Sequence, residues 1–127
     1  MATGDLIERY VAAWSSGDPA AVRALAAADA TVQSNLPGDA TVDALARLGG
    51  AADAVEVVAR VDAGPGSMLT YDCLRNGERL RLVEFVEFSG ELVGAVRRVY
   101  DVVAVRRLLP ELAAGQIDPG AAGRRYL

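Results

Sequence analysis

The sequence predicts an α+β fold, a cone-shaped, curved antiparallel sheet with three N-terminal helices packed on its concave face. Two observations carry that expectation. Between Asp53 and Asp101 stand the extended runs DAVEVVARVDA, SMLTYDCLRN, ERLRLVEFVEFS and ELVGAVRRVYD, separated by Gly64-Pro65-Gly66, Asn76-Gly77 and Ser89-Gly90. Turn residues at strand-length spacing mark a meander, because Gly and Asn accept the positive φ of tight hairpins. Ahead of the meander the apolar residues recur at helical spacing, which supplies helices to cover one face of the sheet.

In chain order, Thr3 can cap a first helix whose Leu6, Ile7, Tyr10, Val11 and Trp14 share one side. Ser15, Ser16 and Gly17 end it. Asp18-Pro19 starts a second helix, Asp as cap and Pro at the first helical position, with an apolar stripe of Val22, Leu25 and Ala26 that Asp29 closes. Ala30 to Leu36 reads as a short strand and Pro37-Gly38 as a turn. Asp39 or Thr41 then starts a third helix through Val42, Leu45 and Leu48, which Gly49-Gly50 terminates. After the meander, Val102, Val105, Leu108 and Leu109 keep helical spacing until Pro110 interrupts it. Residues 1–112 are expected to form a single domain. Residues 113–127, rich in Gly, Ala and Arg, are either a loose tail or a cover over an opening.

Tight turns allow the register to be counted. Two-residue loops at Asn76-Gly77 and Ser89-Gly90 set Tyr71 opposite Leu82, Leu69 opposite Glu84, Leu82 opposite Arg97 and Glu84 opposite Ala95. A three-residue loop at Gly64 to Gly66 sets Val61 opposite Leu69 and Ala59 opposite Tyr71. One face is then apolar apart from Glu84 and Arg97. The other carries a strip of Val83, Phe85, Val96 and Tyr100 rimmed by Arg79, Arg81, Glu87 and Arg98, the pattern of a symmetric interface, so a homodimer through this outer face is expected. A one-residue change in a turn would exchange the faces of neighbouring strands.

Composition excludes several classes of function. The net charge is −4, and the 13 basic residues, all Arg, are scattered, so no nucleic-acid surface is expected. A lone cysteine, Cys73, excludes an internal disulfide, and the lack of histidine removes imidazole ligands and Ser-His or Cys-His pairs. No metal and no cofactor are expected. No segment approaches the roughly 20 apolar residues of a membrane helix, and no basic-then-apolar leader opens the chain. A cytoplasmic protein without a membrane partner is the expectation.

The run ERYVAAWSSGDPAAVRALAAADATV resembles the opening of the nuclear transport factor 2-like superfamily, which includes ketosteroid isomerases, SnoaL-like polyketide cyclases and limonene epoxide hydrolases. The shared features are the aromatic-bearing first helix, the Gly-Asp restart and the Asp-Ala-x-Val entry to the first strand, and the order of elements agrees through residue 109. The resemblance implies the cone fold, a small apolar ligand and dimerisation through the outer sheet face. Ketosteroid isomerases use a helix-1 tyrosine and a protonated strand acid as oxyanion donors, with a strand-1 aspartate as base. Tyr10 matches the tyrosine and Glu84 the acid. The base position matches Ser34, which has no carboxylate, and the neighbouring Gln33 and Asn35 offer amides.

Two readings of the candidate site stand side by side. Burial of Glu84 among Leu80, Leu82, Val86 and Phe88 favours an uncharged acid, whereas Arg97, diagonal to it, favours an ion pair. Tyr10, Glu84 and Arg97 would be the catalytic groups of an isomerase or cyclase that moves a proton on an apolar carbonyl compound. Trp14, Gln33, Ser34, Tyr71, Leu82, Phe88 and Val99 would line its pocket. Alternatively Glu84 and Arg97 are a structural pair, Tyr10 and Trp14 are core, and the chain is a non-catalytic module that binds a hydrophobic ligand or associates as a homodimer. Cys73 reads as a buried structural thiol.

Overall fold

A computed structural model describes residues 2–36 and 38–113. Its elements are α1 (Ala2–Ser15), α2 (Pro19–Leu25), β1 (Ala26–Ser34), α3 (Val42–Ala51), β2 (Ala54–Ala63), β3 (Gly66–Arg75), β4 (Glu78–Ser89), β5 (Leu92–Tyr100), α4 (Val102–Leu108) and α5 (Pro110–Ala113). Of the expected tail, residues 113–127, Ala113 ends α5 and residues 114–127 lie outside the described residues. The strands form one curved, unclosed sheet in the order β1-β5-β4-β3-β2. The meander is antiparallel, and β1 adds to its edge parallel to β5.

Local chemistry accounts for the helix starts. Asp18 accepts from the Ala20 and Ala21 amides at 3.0 and 3.3 Å, with Pro19 following as the first helical residue. Thr41 rather than Asp39 caps α3, accepting from Ala44 N at 3.1 Å. Asp101 caps α4 through Ala104 N at 3.1 Å. The second helix ends at Leu25, four residues before Asp29, and the strand begins there instead of at Ala30.

Two of the three hairpins correct the counted register. The Asn76-Gly77 turn forms as expected, with φ of 54° and 79°, and it sets Tyr71 opposite Leu82 and Leu69 opposite Glu84. The last hairpin differs. Ser89 pairs with Leu92, so the turn is Gly90-Glu91, and a bulge then skips Gly94, placing Glu87 opposite Ala95 and Glu84 opposite Arg98. Gly94 permits this, because a Cβ there would sit 2.7 Å from the Ser89 Cβ. The slip inverts the rest of β5: Val96, Arg98 and Tyr100 face the helices, while Arg97 and Val99 are exposed on the outer face. Arg97 and Val99 are therefore not lining residues of the interior, and Val96 and Tyr100 are not part of the outer strip.

On β2 the turn is Gly64-Pro65 and a bulge at Val58 follows, so Val61 pairs with Met68 and Ala59 with Thr70, both outward. Val57 pairs with Tyr71 on the inner side. The core lies between this inner face and the helices. Leu6, Ile7, Tyr10 and Trp14 of α1 and Leu45 and Leu48 of α3 pack over Leu69, Tyr71, Leu80, Leu82, Val86 and Val96, with Val105, Leu109 and Leu112 closing one end.

Candidate functional site

Glu84 is the centre of a hydrogen-bonded cluster inside the core. It sits mid-strand on β4 facing α1, so the helix side chain Tyr10 reaches it: Tyr10 donates its hydroxyl to Oε2 at 2.7 Å. Tyr71, diagonal to it across the β3–β4 pair, donates to Oε1 at 2.7 Å. Arg98, its cross-strand partner on β5, donates Nε to Oε2 at 2.9 Å. The ion pair anticipated for this face thus exists, formed by Arg98 and not Arg97. The Arg98 guanidinium lies 4.5 Å from the Trp14 ring centroid, and Trp14 meets Tyr71 edge-on at 5.1 Å.

The cluster continues past Arg98. Its Nη1 donates to Leu45 O of α3 and to the Tyr100 hydroxyl, each at 3.0 Å, and Tyr100 donates to Asp39 Oδ2 at 2.9 Å. Asp39 lies in the β1–α3 segment, which Asn35 ties to β5 by exchanging two hydrogen bonds with the Tyr100 backbone. Two buried carboxylates thus bracket one guanidinium, one directly and one through a tyrosine.

Electrostatics fixes protonation. Burial, and then the Glu84 carboxylate, push the Tyr10 and Tyr71 hydroxyls well above their ordinary range, so both remain donors. Burial likewise raises Tyr100 and raises Asp39. Burial alone would lower Arg98, but the oxygens of Tyr100 and Glu84 more than offset it and keep the guanidinium charged. The Cys73 thiol, buried beside this cluster, is pushed up to about 12, which makes it an inert core side chain.

Among the described residues this cluster leaves no room for a ligand. Tyr10, Trp14, Tyr71 and Arg98 expose no surface to a water-sized probe, and Glu84 exposes 1%. A void of about 10 Å³ beside Tyr10, Val22 and Val96 holds one water at most, against roughly 300 Å³ or more for a small-molecule pocket. Among the described residues Trp14 Nε1, Asp39 Oδ1 and Arg98 Nη2 are buried without a hydrogen-bond partner. Among the described residues no group of three or more Cys, Asp and Glu side chains could hold a metal ion.

The remaining expected lining residues divide in the same way. Leu82 is buried beside Tyr71, and Phe88 is half-buried at the core edge. Ser34 accepts the Leu36 amide at 3.0 Å, using its hydroxyl to turn the chain. Gln33 aligns with Arg97 and is exposed. Val99 is 51% exposed on the outer face. Sequence reasoning missed Arg98, Tyr100 and Asp39. The signal for the first two was Gly94, since a glycine inside a strand marks a bulge. Asp39 carried none, because an acid before a helix reads first as a cap.

The fold is that of the nuclear transport factor 2-like proteins. No family profile matches the chain, and no curated protein matches it. Solved structures do. An uncharacterised bacterial protein of cystatin-like fold from Silicibacter pomeroyi superposes with a TM-score of 0.70 at 19% identity, over 95% of this chain and 91% of that one. An NTF2-like protein of unknown function from Cytophaga hutchinsonii gives a TM-score of 0.63 at 13% identity, over 81% and 93%. A protein with a ketosteroid isomerase-like fold from Catenulispora acidiphila, solved in complex with trimethylamine, gives 0.66 at 19% identity, over 84% and 92%. At these identities the likeness defines the fold and leaves the activity to the site.

Proposed function

We propose that this chain is a non-catalytic association module that forms a homodimer through the outer face of its sheet. One observation carries the non-catalytic part: the interior position at which a ligand would be held is filled by the chain's own side chains, with both Glu84 oxygens taken by Tyr10, Tyr71 and Arg98. The strand-1 position that would hold a base is Ser34, which has no carboxylate and whose hydroxyl oxygen accepts the Leu36 amide. The outer face supports the partner. Val61, Met68, Val83 and Val99 are 63%, 53%, 39% and 51% exposed and stand in adjacent cross-strand rows around Phe85. Asp72, held between Arg79 and Arg81, forms a polar rim at one end. Apolar centre and charged rim suit an isologous contact with a second copy. Light scattering at tens of micromolar should give twice the 13.3 kDa chain mass. Met68→Glu with Val83→Glu should give the monomer with unchanged circular dichroism, and a monomeric wild type would overturn the proposal.

A second reading, proton transfer on an apolar carbonyl compound, is favoured by the buried Trp14 Nε1, Asp39 Oδ1 and Arg98 Nη2, which have no hydrogen-bond partner among the described residues and which a ligand oxygen or donor would satisfy. Tyr10 and Glu84 would then keep their roles and Arg98 would replace Arg97. Incubating wild type and Glu84→Gln with a ketosteroid in D2O decides it. Exchange of the substrate's α-proton by wild type alone supports this reading, and no exchange by either rejects it.

A further inference from the structure

A groove separate from the filled interior runs between α1 and the edge strand β2. It encloses about 380 Å³, with Ile7, Glu8 and Val11 on one wall, Val57 and Arg60 on the other and Leu69 at its base. The β2 bulge builds it. Regular alternation would send residues 57 and 60 to opposite faces, but the extra residue at Val58 leaves Val57 opposite Tyr71 and Arg60 opposite Leu69, so both point to the inner side. An apolar and a cationic side chain thereby share one wall. Val57 is 47% exposed there, an apolar surface with nothing packed on it.

Arg60 is held in place. Its Nε donates to Asp62 Oδ1 at 2.8 Å, and the same oxygen accepts the hydroxyl of the buried Ser67 at 2.6 Å. Ser67, and then Arg60, hold the Asp62 carboxyl below its ordinary range, so the anchor stays ionised. Only Nε is used in this contact. The forked Nη1 and Nη2 groups have no hydrogen-bond partner among the described residues, and such a fork matches a carboxylate. Glu8 on the facing wall opposes a second negative charge.

We infer that this groove binds an amphipathic monocarboxylate, its alkyl body against Ile7, Val11, Val57 and Leu69 and its carboxylate on the Arg60 fork. Each methylene added within the groove should tighten binding about threefold to fourfold. The inference is independent of the dimer, whose surface is the opposite face of the sheet. Methyl-detected NMR titration of the full chain with octanoate, octanol and octylamine tests it. Octanoate should shift the Ile7, Val11, Val57 and Leu69 methyls saturably and at least tenfold more tightly than octanol or octylamine. Arg60→Gln should reduce octanoate to the level of octanol, and Val57→Glu should abolish octanoate binding while the spectrum stays dispersed. Equal binding of octanoate and octanol, no binding of octanoate below 10 mM, an unchanged affinity in Arg60→Gln, or shifts at Leu82 and Val86 instead would each overturn it.

Discussion

Glu84 and Arg98 set the energetics at the scale of single residues. A buried ion pair is costly to form, because both groups leave water, but costlier to break, because the survivor is left charged and alone. Replacing Glu84 by Gln should therefore cost about 3–5 kcal/mol in urea denaturation. Arg97→Gln, one position along on the outer face, should change stability by no more than about 0.5 kcal/mol. Equal effects of the two substitutions would contradict the bulged register. Asp39 gives a pH dependence of defined sign. Burial raises its folded-state value above the ordinary 3.8, so its contribution to stability is fully present below that value and is lost as pH rises through the folded one. Asparagine does not titrate. The stability difference between Asp39→Asn and wild type should thus move in favour of the variant between pH 4 and pH 7, whatever its offset. Tyr10 and Glu84 were each legible as inward-facing from helical periodicity and the Asn76-Gly77 turn, and the resemblance to ketosteroid isomerases is what paired them. Asp39 was not, because the burial of a loop acid depends on what folds over it.

At the scale of elements, the outcome of the last hairpin depends on one glycine. The β3–β4 register followed from its turn, since Asn-Gly specifies both loop length and twist. Ser89-Gly90-Glu91 does not specify which two residues turn, and Gly94 adds a bulge that no alternation pattern reveals. Together they moved Arg98 and Tyr100 inward and Arg97 and Val99 outward. Gly94→Ala should destabilise the domain by about 1–3 kcal/mol, because its Cβ would overlap Ser89. Gly64→Ala, where a Cβ meets nothing within 4 Å, should be neutral within about 0.5 kcal/mol, and thermal melts of the two compare them directly. A neutral Gly94→Ala would argue against the bulge. The parallel pairing of β1 with β5 was equally hidden, since it joins strands separated by the whole meander.

At the scale of the molecule, the described residues pack the space between helices and sheet shut around Glu84. Trp14, Tyr10, Tyr71 and Arg98 occupy the volume between helices and sheet, and the Tyr10 and Tyr71 hydroxyls and Arg98 Nε take both Glu84 oxygens. Outside that core lie an apolar outer face with a charged rim, and a groove where the β2 bulge turns Arg60 toward α1. The measurement that bears most directly on the filled interior is a proton NMR titration of the Tyr10 and Tyr71 hydroxyls, which donate to Glu84 at 2.7 Å without contact to water and should exchange slowly enough to be resolved downfield. Adding a ketosteroid, or a naphthol as enolate analogue, should leave both signals in place up to the solubility limit of the probe. A saturable shift of either signal would mean that a ligand reaches Glu84, and would contradict the packed-core account.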